Sequence, residues 1–173
     1  SPTQRSVLTK EGLSSLLPTL HEAVPFALQE QALHILFNAT SMKEPQILSK
    51  VCSECGLVSS MQRAASIAHH QGPAGMDGLS LAMGSLTNLA EGCPEGRAEF
   101  VRGRDGGVQL LMSLIDGKTA GAGAGTVLPV EVKIAAGNAL LALCTSEPSR
   151  GPMLEAGARR SLEAIASASW ASP

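Results

Sequence analysis

Ala82-Met83-Gly84-Ser85-Leu86-Thr87-Asn88-Leu89-Ala90 is the stretch that decides the fold of this chain. Two similar stretches stand at residues 32–39 and 136–144, and superposing all three aligns Leu36, Leu86 and Leu140. In each stretch apolar residues recur every three or four positions, which is typical of a helix with one buried face. The three stretches therefore predict three equivalent helices.

Four glycines divide the chain into units of similar length. They are Gly12, Gly56, Gly107 and Gly157, at intervals of 44, 51 and 50 residues. Each glycine follows a short segment opened by a proline and precedes a leucine-rich segment, and glycine suits a turn between helices that needs positive φ. A period of this length is typical of a helical solenoid. We therefore predict one all-α domain over residues 1–173, with units at about 1–42, 43–92 and 93–147 and a partial unit at 148–173.

The pattern also predicts individual elements. In the first unit we expect a short helix over residues 5–10 that ends at Gly12, a second helix over residues 13–20 and a third from Pro25 to Asn38. Residues 69–78 are expected to form a loop rich in Gly and Pro. The Gly/Ala-rich insert at residues 116–125 lacks apolar anchors, so we expect it to be flexible.

Composition narrows the class of function. The formal net charge is −2, from 13 Lys and Arg against 15 Asp and Glu, and the sequence has no long basic run, which disfavours nucleic acid and anionic membranes as partners. The nearly apolar segment at residues 134–144 falls well short of the roughly 20 residues that cross a bilayer. Four scattered cysteines do not form a disulfide framework, which favours a reducing, cytoplasmic setting.

Taken together, the glycine turns, the leucine-rich second helices and the third helices resemble the armadillo repeat. Its third helix ends Ala-x-x-Ala-Leu-x-Asn-Leu-Ala, and residues 85–90 are similar to that ending. The resemblance implies a right-handed superhelix whose third helices line a concave groove, with Asn38 and Asn88 placed to bind a peptide backbone and Ala142 at the third position. Importin-type members carry a tryptophan four residues earlier, where this chain has His34, Gly84 and Asn138, so a nuclear-import receptor is not favoured.

The chemistry of an extended peptide supports the same site. Its backbone presents unpaired N–H and C=O groups, and an amide side chain offers both a donor and an acceptor to meet them. Helical spacing places further side chains on that face, so that the predicted groove set is Gln31, His34, Asn38, Leu81, Asn88, Glu131 and Asn138. We therefore predict a non-catalytic protein-interaction module that binds a protein or an extended peptide and uses no cofactor.

Two alternatives remain open at this point. Asn38 and Asn88 could cap or bridge neighbouring helix ends instead of binding a ligand, and His34 could be an ordinary surface or packed histidine. The chain is also similar to the armadillo part of chaperone-type assembly factors that carry tetratricopeptide repeats, such as myosin chaperones and dynein-arm assembly factors. Because neither end of the repeat array looks strongly polar, we expect the chain to belong to a longer polypeptide or to self-associate through an end.

Two motifs suggest chemistry that their context does not support. Cys52-Ser53-Glu54-Cys55, with His69 and His70 further along, lacks the second matched pair of a structural zinc site, so we predict no metal. Gly117-Lys118-Thr119 resembles part of a phosphate-binding loop, but Met112 stands where that motif needs glycine. We predict no catalytic residue.

Overall fold

The computed structural model describes residues 9–42, 44–102, 107–117, 128–155 and 157–167. Within these residues the chain forms ten α-helices, two short 3-10 turns and no strand. The all-α prediction is therefore confirmed. The helices are α1 (Lys10–Leu16), α2 (Phe26–Ser41), α3 (Pro45–Cys55), α4 (Leu57–His70), α5 (Met76–Gly92), α6 (Pro94–Arg102), α7 (Gly107–Ile115), α8 (Val130–Thr145), α9 (Glu147–Glu155) and α10 (Ala158–Ser167), and the 3-10 turns are Leu17–Leu20 and Gly72–Gly75.

Helices from corresponding places in the sequence are neighbours in space. The long helix α5 packs against both α2 and α8. In the same way α6 packs against α3 and α9. The 3-10 turn Leu17–Leu20 packs against α4, which packs against α7, and α7 packs against α10. The helix packing thus brings α2, α5 and α8 into one series, and these three helices carry the stretches that the sequence aligns.

The three aligned leucines are equally buried. Leu36, Leu86 and Leu140 lie in α2, α5 and α8, and each is 0% exposed. Pro25 precedes α2 and Pro129 precedes α8, where the fixed φ of proline suits a helix start. The predicted start of the third helix near Pro25 is confirmed.

Two of the four glycines form the expected turn. Gly56 separates α3 from α4 with φ of 69°, and Gly157 precedes α10 with φ of 90°. The prediction at Gly12 is wrong, because this residue lies inside α1 and its backbone N–H donates to Thr9 Oγ1, the N-cap of that helix, at 3.0 Å. Gly107 is not a positive-φ turn either, since it begins α7.

Gly107 has a steric role instead of a conformational one. A Cβ at this position would lie 1.9 Å from Gln62 Nε2, the end of a buried side chain on α4. Among the described residues, the Gln62 side-chain amide has no hydrogen-bond partner. The glycine therefore lets α7 approach α4 closely, which a repeated turn signal could not reveal.

Two other local predictions need correction. The second helix of the first unit does not continue to Leu20, because Pro18 has no N–H to donate and the chain becomes the 3-10 turn Leu17–Leu20. Residues 69–78 are not a loop: His69 and His70 end α4, the 3-10 turn Gly72–Gly75 follows, and α5 begins at Met76. A Cβ at Gly75 would lie 2.0 Å from the Ala68 carbonyl oxygen, so glycine permits this compact connection.

Two predicted segments fall mainly outside the described residues. The helix expected over residues 5–10 lies there except for its last two positions, where Thr9 is the N-cap and Lys10 the first residue of α1. Of the insert at residues 116–125, only Asp116 and Gly117 are described, and their N–H groups donate to Met112 and Leu114 carbonyls at the end of α7. The expected flexibility of the insert stays a prediction.

Two glycines in α5 allow this helix to pack closely on α2. A Cβ at Gly78 would lie 2.8 Å from Phe26 Cζ, and one at Gly84 would lie 2.6 Å from Phe37 Cε2. The two phenylalanine rings thus occupy space that any other residue at these positions would need. The interface between α2 and α5 depends on this match of aromatic rings with glycines.

The opposite side of α2 is apolar and exposed. Leu28, Ile35 and Met42 are 49%, 41% and 53% exposed. Leu28 is two residues from Phe26, and Ile35 is two residues from Phe37, which is about 200° around a helix. This apolar stripe therefore points away from α5.

Truncating any of the three aligned leucines should destabilise the protein similarly. We expect Leu36→Ala, Leu86→Ala and Leu140→Ala each to lower the free energy of unfolding by about 2–5 kcal/mol, because each leaves a cavity in the core. The exposed Leu28 is the control, and Leu28→Ala should cost less than about 1 kcal/mol. Urea denaturation measures all four, and a loss at Leu28 as large as at Leu86 would contradict the described burial.

Two glycines of α5 provide a matched test of its contact with α2. Gly84→Ala should lower the free energy of unfolding by about 1–3 kcal/mol, because its methyl group meets the Phe37 ring. No atom lies within 4 Å of a Cβ at Gly92, so Gly92→Ala should be neutral or stabilising by up to about 1 kcal/mol. The penalty at Gly84 should largely disappear in a Phe37→Ala background, and a penalty that persists there would place its origin elsewhere.

Candidate functional site

The seven predicted groove residues all lie on the three consecutively packed helices. Five are exposed to solvent and two are half-buried, Leu81 and Asn88. The exposed ones are Gln31, His34 and Asn38 on α2 and Glu131 and Asn138 on α8. A polar surface is therefore available on both outer helices of the series, while the middle helix contributes half-buried groups.

Asn88 joins α5 to the end of α2. Its Nδ2 donates to Thr40 Oγ1 at 3.3 Å and to Ser41 Oγ at 3.1 Å. These contacts are the bridge between neighbouring helix ends that the sequence left as an alternative to ligand binding. The amide hydrogens of Asn88 are therefore used within the chain, and only its Oδ1 is left to accept a hydrogen bond from a ligand. Contact of Asn88 with a ligand stays a prediction.

Leu81 and Asn38 differ in what they can offer a partner. Leu81 packs against the hydrophobic core, so most of its side chain is engaged in the fold. Asn38 is exposed, and within the described residues its side chain makes no hydrogen bond. Its amide can therefore meet an external donor or acceptor without breaking an internal contact.

Asn138 borders an open cleft of about 470 Å³ between the C-terminal ends of α5 and α8. Other side chains that line the cleft are those of Glu91, Arg97, Leu141 and Thr145. The cleft is thus a mixture of charged, amide, hydroxyl and apolar groups. Asn138 is the one predicted groove residue among the residues that line it.

Arginines cap the C-terminal ends of α5 and α8. Arg97 Nη1 donates to the carbonyls of Ala90 at 2.8 Å and Glu91 at 3.1 Å, and Arg150 Nε donates to the Cys144 carbonyl at 3.2 Å. Each arginine is the fourth residue of the helix that follows, α6 or α9. Neither arginine was predicted from the sequence, although their equal offset from the helix start was a usable signal.

Glu99 of α6 caps the N-terminus of α4. Its Oε2 accepts from Val58 N at 3.1 Å and its Oε1 accepts from Ser59 N at 2.9 Å. A carboxylate is favoured at the positive end of a helix. Two N–H groups of the first turn of α4 are therefore bonded to a side chain of α6.

The C-x-x-C motif does not form a cysteine pair or a metal site in the structure. Cys52 instead lies beside Cys93, with their Sγ atoms 3.9 Å apart, whereas Cys55 borders a separate surface depression near Arg63. All four cysteines are free thiols. Among the described side chains, no three His, Cys, Asp or Glu residues form a group that could hold a metal ion.

The two neighbouring thiols differ in acidity. The hydrogen bond with Cys52, together with the Gly96 N–H that donates to Cys93 Sγ at 3.3 Å, lowers the pKa of Cys93 to about 7. The same contact with Cys93, together with burial, raises the pKa of Cys52. The Glu95 carboxylate, whose Oε2 lies 3.7 Å from Cys93 Sγ, and burial both act against this lowering. Cys93 is therefore the more acidic thiol of the pair.

Among the residues that the structure describes, no helix combines the length and apolar character that crossing a bilayer requires.

Comparison of the chain with protein-family models, with curated proteins and with solved structures finds no match, so these comparisons identify no family.

The acidity of Cys93 predicts a specific pH dependence of stability. The pKa of Cys93 is about 7 in the folded chain and 9.0 for an ordinary thiol, so between these values the folded chain binds fewer protons than the unfolded one. The stabilisation by this thiolate is complete above about pH 9 and is lost as the pH falls through about 7. The raised pKa of Cys52 opposes it only above about pH 9, where an unfolded thiol ionises.

Urea denaturation under reducing conditions, compared with a Cys93→Ser variant, measures this contribution. The free energy of unfolding of the wild-type chain, relative to the variant, should rise as the pH increases from about 7 to about 9. A difference that stays constant or falls over that range would contradict the assignment of the thiolate to Cys93.

Proposed function

We propose that the chain is an armadillo-like right-handed superhelical solenoid and that it acts as a non-catalytic protein-interaction module. It holds an extended segment of a partner protein along the exposed face of α2, α5 and α8. The observation that carries this proposal is the position of the exposed polar groups: Asn38 on α2 and Asn138 on α8 stand on the outer helices of a consecutively packed series.

Equivalent contacts at successive positions support a stack of repeated units. Arg97 and Arg150 make the same kind of cap from the same helix position, one at α5 and one at α8. Gly56 and Gly157 both turn the chain with positive φ between a short helix and the next one. Repeats of this kind pack only on their neighbours, and they build an elongated surface.

The open side of α2 supports the same architecture. A repeat at the end of a stack presents the apolar surface on which another unit would pack. Leu28, Ile35 and Met42 form such a surface on the side of α2 that points away from α5. An apolar side of this kind is typical of a unit in a stack, because each unit offers such a surface to its neighbour.

The chemistry of the exposed face suits binding. Amide side chains neither titrate near neutral pH nor act as nucleophiles, but each can accept from a backbone N–H and donate to a backbone C=O. Asn38 and Asn138 therefore offer hydrogen bonds to an extended peptide, whose backbone groups are unpaired. Ile134 and Leu141 on α8 are 44% and 52% exposed and can cover apolar side chains of the same ligand.

Peptide selection followed by substitution tests this function. Linear peptides selected from a random library on the wild-type chain should lose affinity about tenfold or more on the Asn38→Ala/Asn138→Ala variant, because each lost hydrogen bond is worth about 1 kcal/mol. Asn88 is left unchanged, since its bonds to Thr40 and Ser41 belong to the fold.

The control replaces two exposed amides on other helices, Gln46 of α3 and Gln109 of α7. The Gln46→Ala/Gln109→Ala variant should bind the selected peptides as the wild type does, and both variants should keep the wild-type melting temperature. If the library yields no binder, or if binders tolerate the loss of Asn38 and Asn138, the proposed groove is wrong.

A further inference from the structure

Cys52 and Cys93 form a buried pair of thiols that the proposed binding function does not use. Cys52 lies in α3 and Cys93 immediately precedes α6, two helices that pack against each other. Their side chains are only 3% and 1% exposed, and the Sγ atoms are 3.9 Å apart. The cysteines are 41 positions apart in the sequence. The fold therefore brings these thiols together.

We propose that Cys52 and Cys93 are a redox site, at which a hydroperoxide converts the two thiols into an intramolecular disulfide. The disulfide ties α3 to α6. It requires no rearrangement of the helices on the scale of a turn, because the sulfur atoms must approach from 3.9 Å to a bond length of about 2 Å. Rotation of the two side chains, with a small adjustment of the backbone, covers this distance.

The reaction has two steps. The Cys93 thiolate attacks the terminal peroxide oxygen, so that an S–O bond forms and the O–O bond breaks, which gives a sulfenic acid. Hydroxide leaves from hydrogen peroxide, and an alkoxide leaves from an organic hydroperoxide. The Cys52 sulfur then attacks the Cys93 sulfur, the S–O bond breaks, and the Cys52 proton leaves with the hydroxyl group as water. The two thiols are oxidised by two electrons in total, and the hydroperoxide is reduced.

The surroundings assign different roles to the two cysteines. Cys93 precedes α6, and its Sγ accepts the Gly96 N–H, a contact that favours a negatively charged sulfur. The Glu95 carboxylate, 3.7 Å from the same sulfur, disfavours it. The lower pKa of Cys93 makes it the thiol of the pair that ionises first and attacks the peroxide. Cys52 keeps its proton and is the resolving thiol.

Access of the oxidant requires a local opening. Glu95 and Gly96, in the first turn of α6, both contact Cys93 Sγ, and Pro94 beside them is exposed. Opening this turn uncovers the sulfur without unfolding the core. Oxidation should therefore be slower than for an exposed thiol but specific in its product. This specificity separates the proposal from general damage, which would begin at the half-buried Cys55 and Cys144.

Mass spectrometry identifies the product directly. The full chain is treated with hydrogen peroxide, its remaining thiols are blocked with N-ethylmaleimide, and the protein is digested with trypsin. The expected product links the tryptic peptides 51–63 and 64–97, is cleaved by dithiothreitol and also forms in the Cys55→Ser/Cys144→Ser variant, in which only Cys52 and Cys93 remain. The oxidised variant should melt about 5–10 °C higher than its reduced form.

The Cys52→Ser variant is the matched control. It should form no link between the two peptides, and Cys93 should stop at a sulfenic acid that dimedone captures. A disulfide within peptide 51–63, a link to Cys93 that persists in Cys52→Ser, or an unmodified Cys93 at peroxide concentrations that oxidise Cys55 and Cys144 would each overturn the proposal.

Discussion

The close packing of α5 against α2 is the constraint on which the described architecture depends. The rings of Phe26 and Phe37 fill the space that side chains at Gly78 and Gly84 would occupy. At this separation Asn88 can reach the hydroxyls that end α2, Thr40 and Ser41. On the other interface, the Thr87 hydroxyl donates to the Ala135 carbonyl of α8 at 2.9 Å. Steric fit and hydrogen bonds together fix the order α2, α5, α8.

That order determines what the protein can present to a partner. Each of the three helices buries its aligned leucine, so the opposite face must meet solvent or a ligand. The half-buried groups of the middle helix α5 make internal contacts: Asn88 bonds to α2, and Leu81 packs against the core. The outer helices keep unengaged polar groups, and we therefore propose that Asn38 and Asn138 carry the interaction with an extended partner.

The sequence was informative where a contact recurs along the chain. The stretch around Leu86 has counterparts at Leu36 and Leu140, and three matching helices with buried leucines follow from it. Positive φ at Gly56 follows from the same logic. Gly12 and Gly107 look alike in the sequence but serve different purposes, because one is inside a helix and the other makes room for Gln62.

Contacts that occur only once, between segments far apart in the sequence, could not be predicted from a repeated pattern. The thiol pair Cys52 and Cys93 joins two helices, whereas the local C-x-x-C pattern pointed to Cys55. Glu99 caps a helix that begins 42 positions earlier, at Leu57, and no local pattern indicates this. The helices of the candidate site and its exposed amides could be predicted from the sequence. The internal role of Asn88 could not, because it depends on how α2 packs on α5.

Backbone amide NMR of the wild-type chain with a selected peptide tests the central claim most directly. If α2, α5 and α8 present one face to an extended ligand, the signals that shift on binding should lie on all three helices, with Asn38 and Asn138 among them. Shifts confined to a single helix, or located on α3 and α6 instead, would contradict a shared binding face.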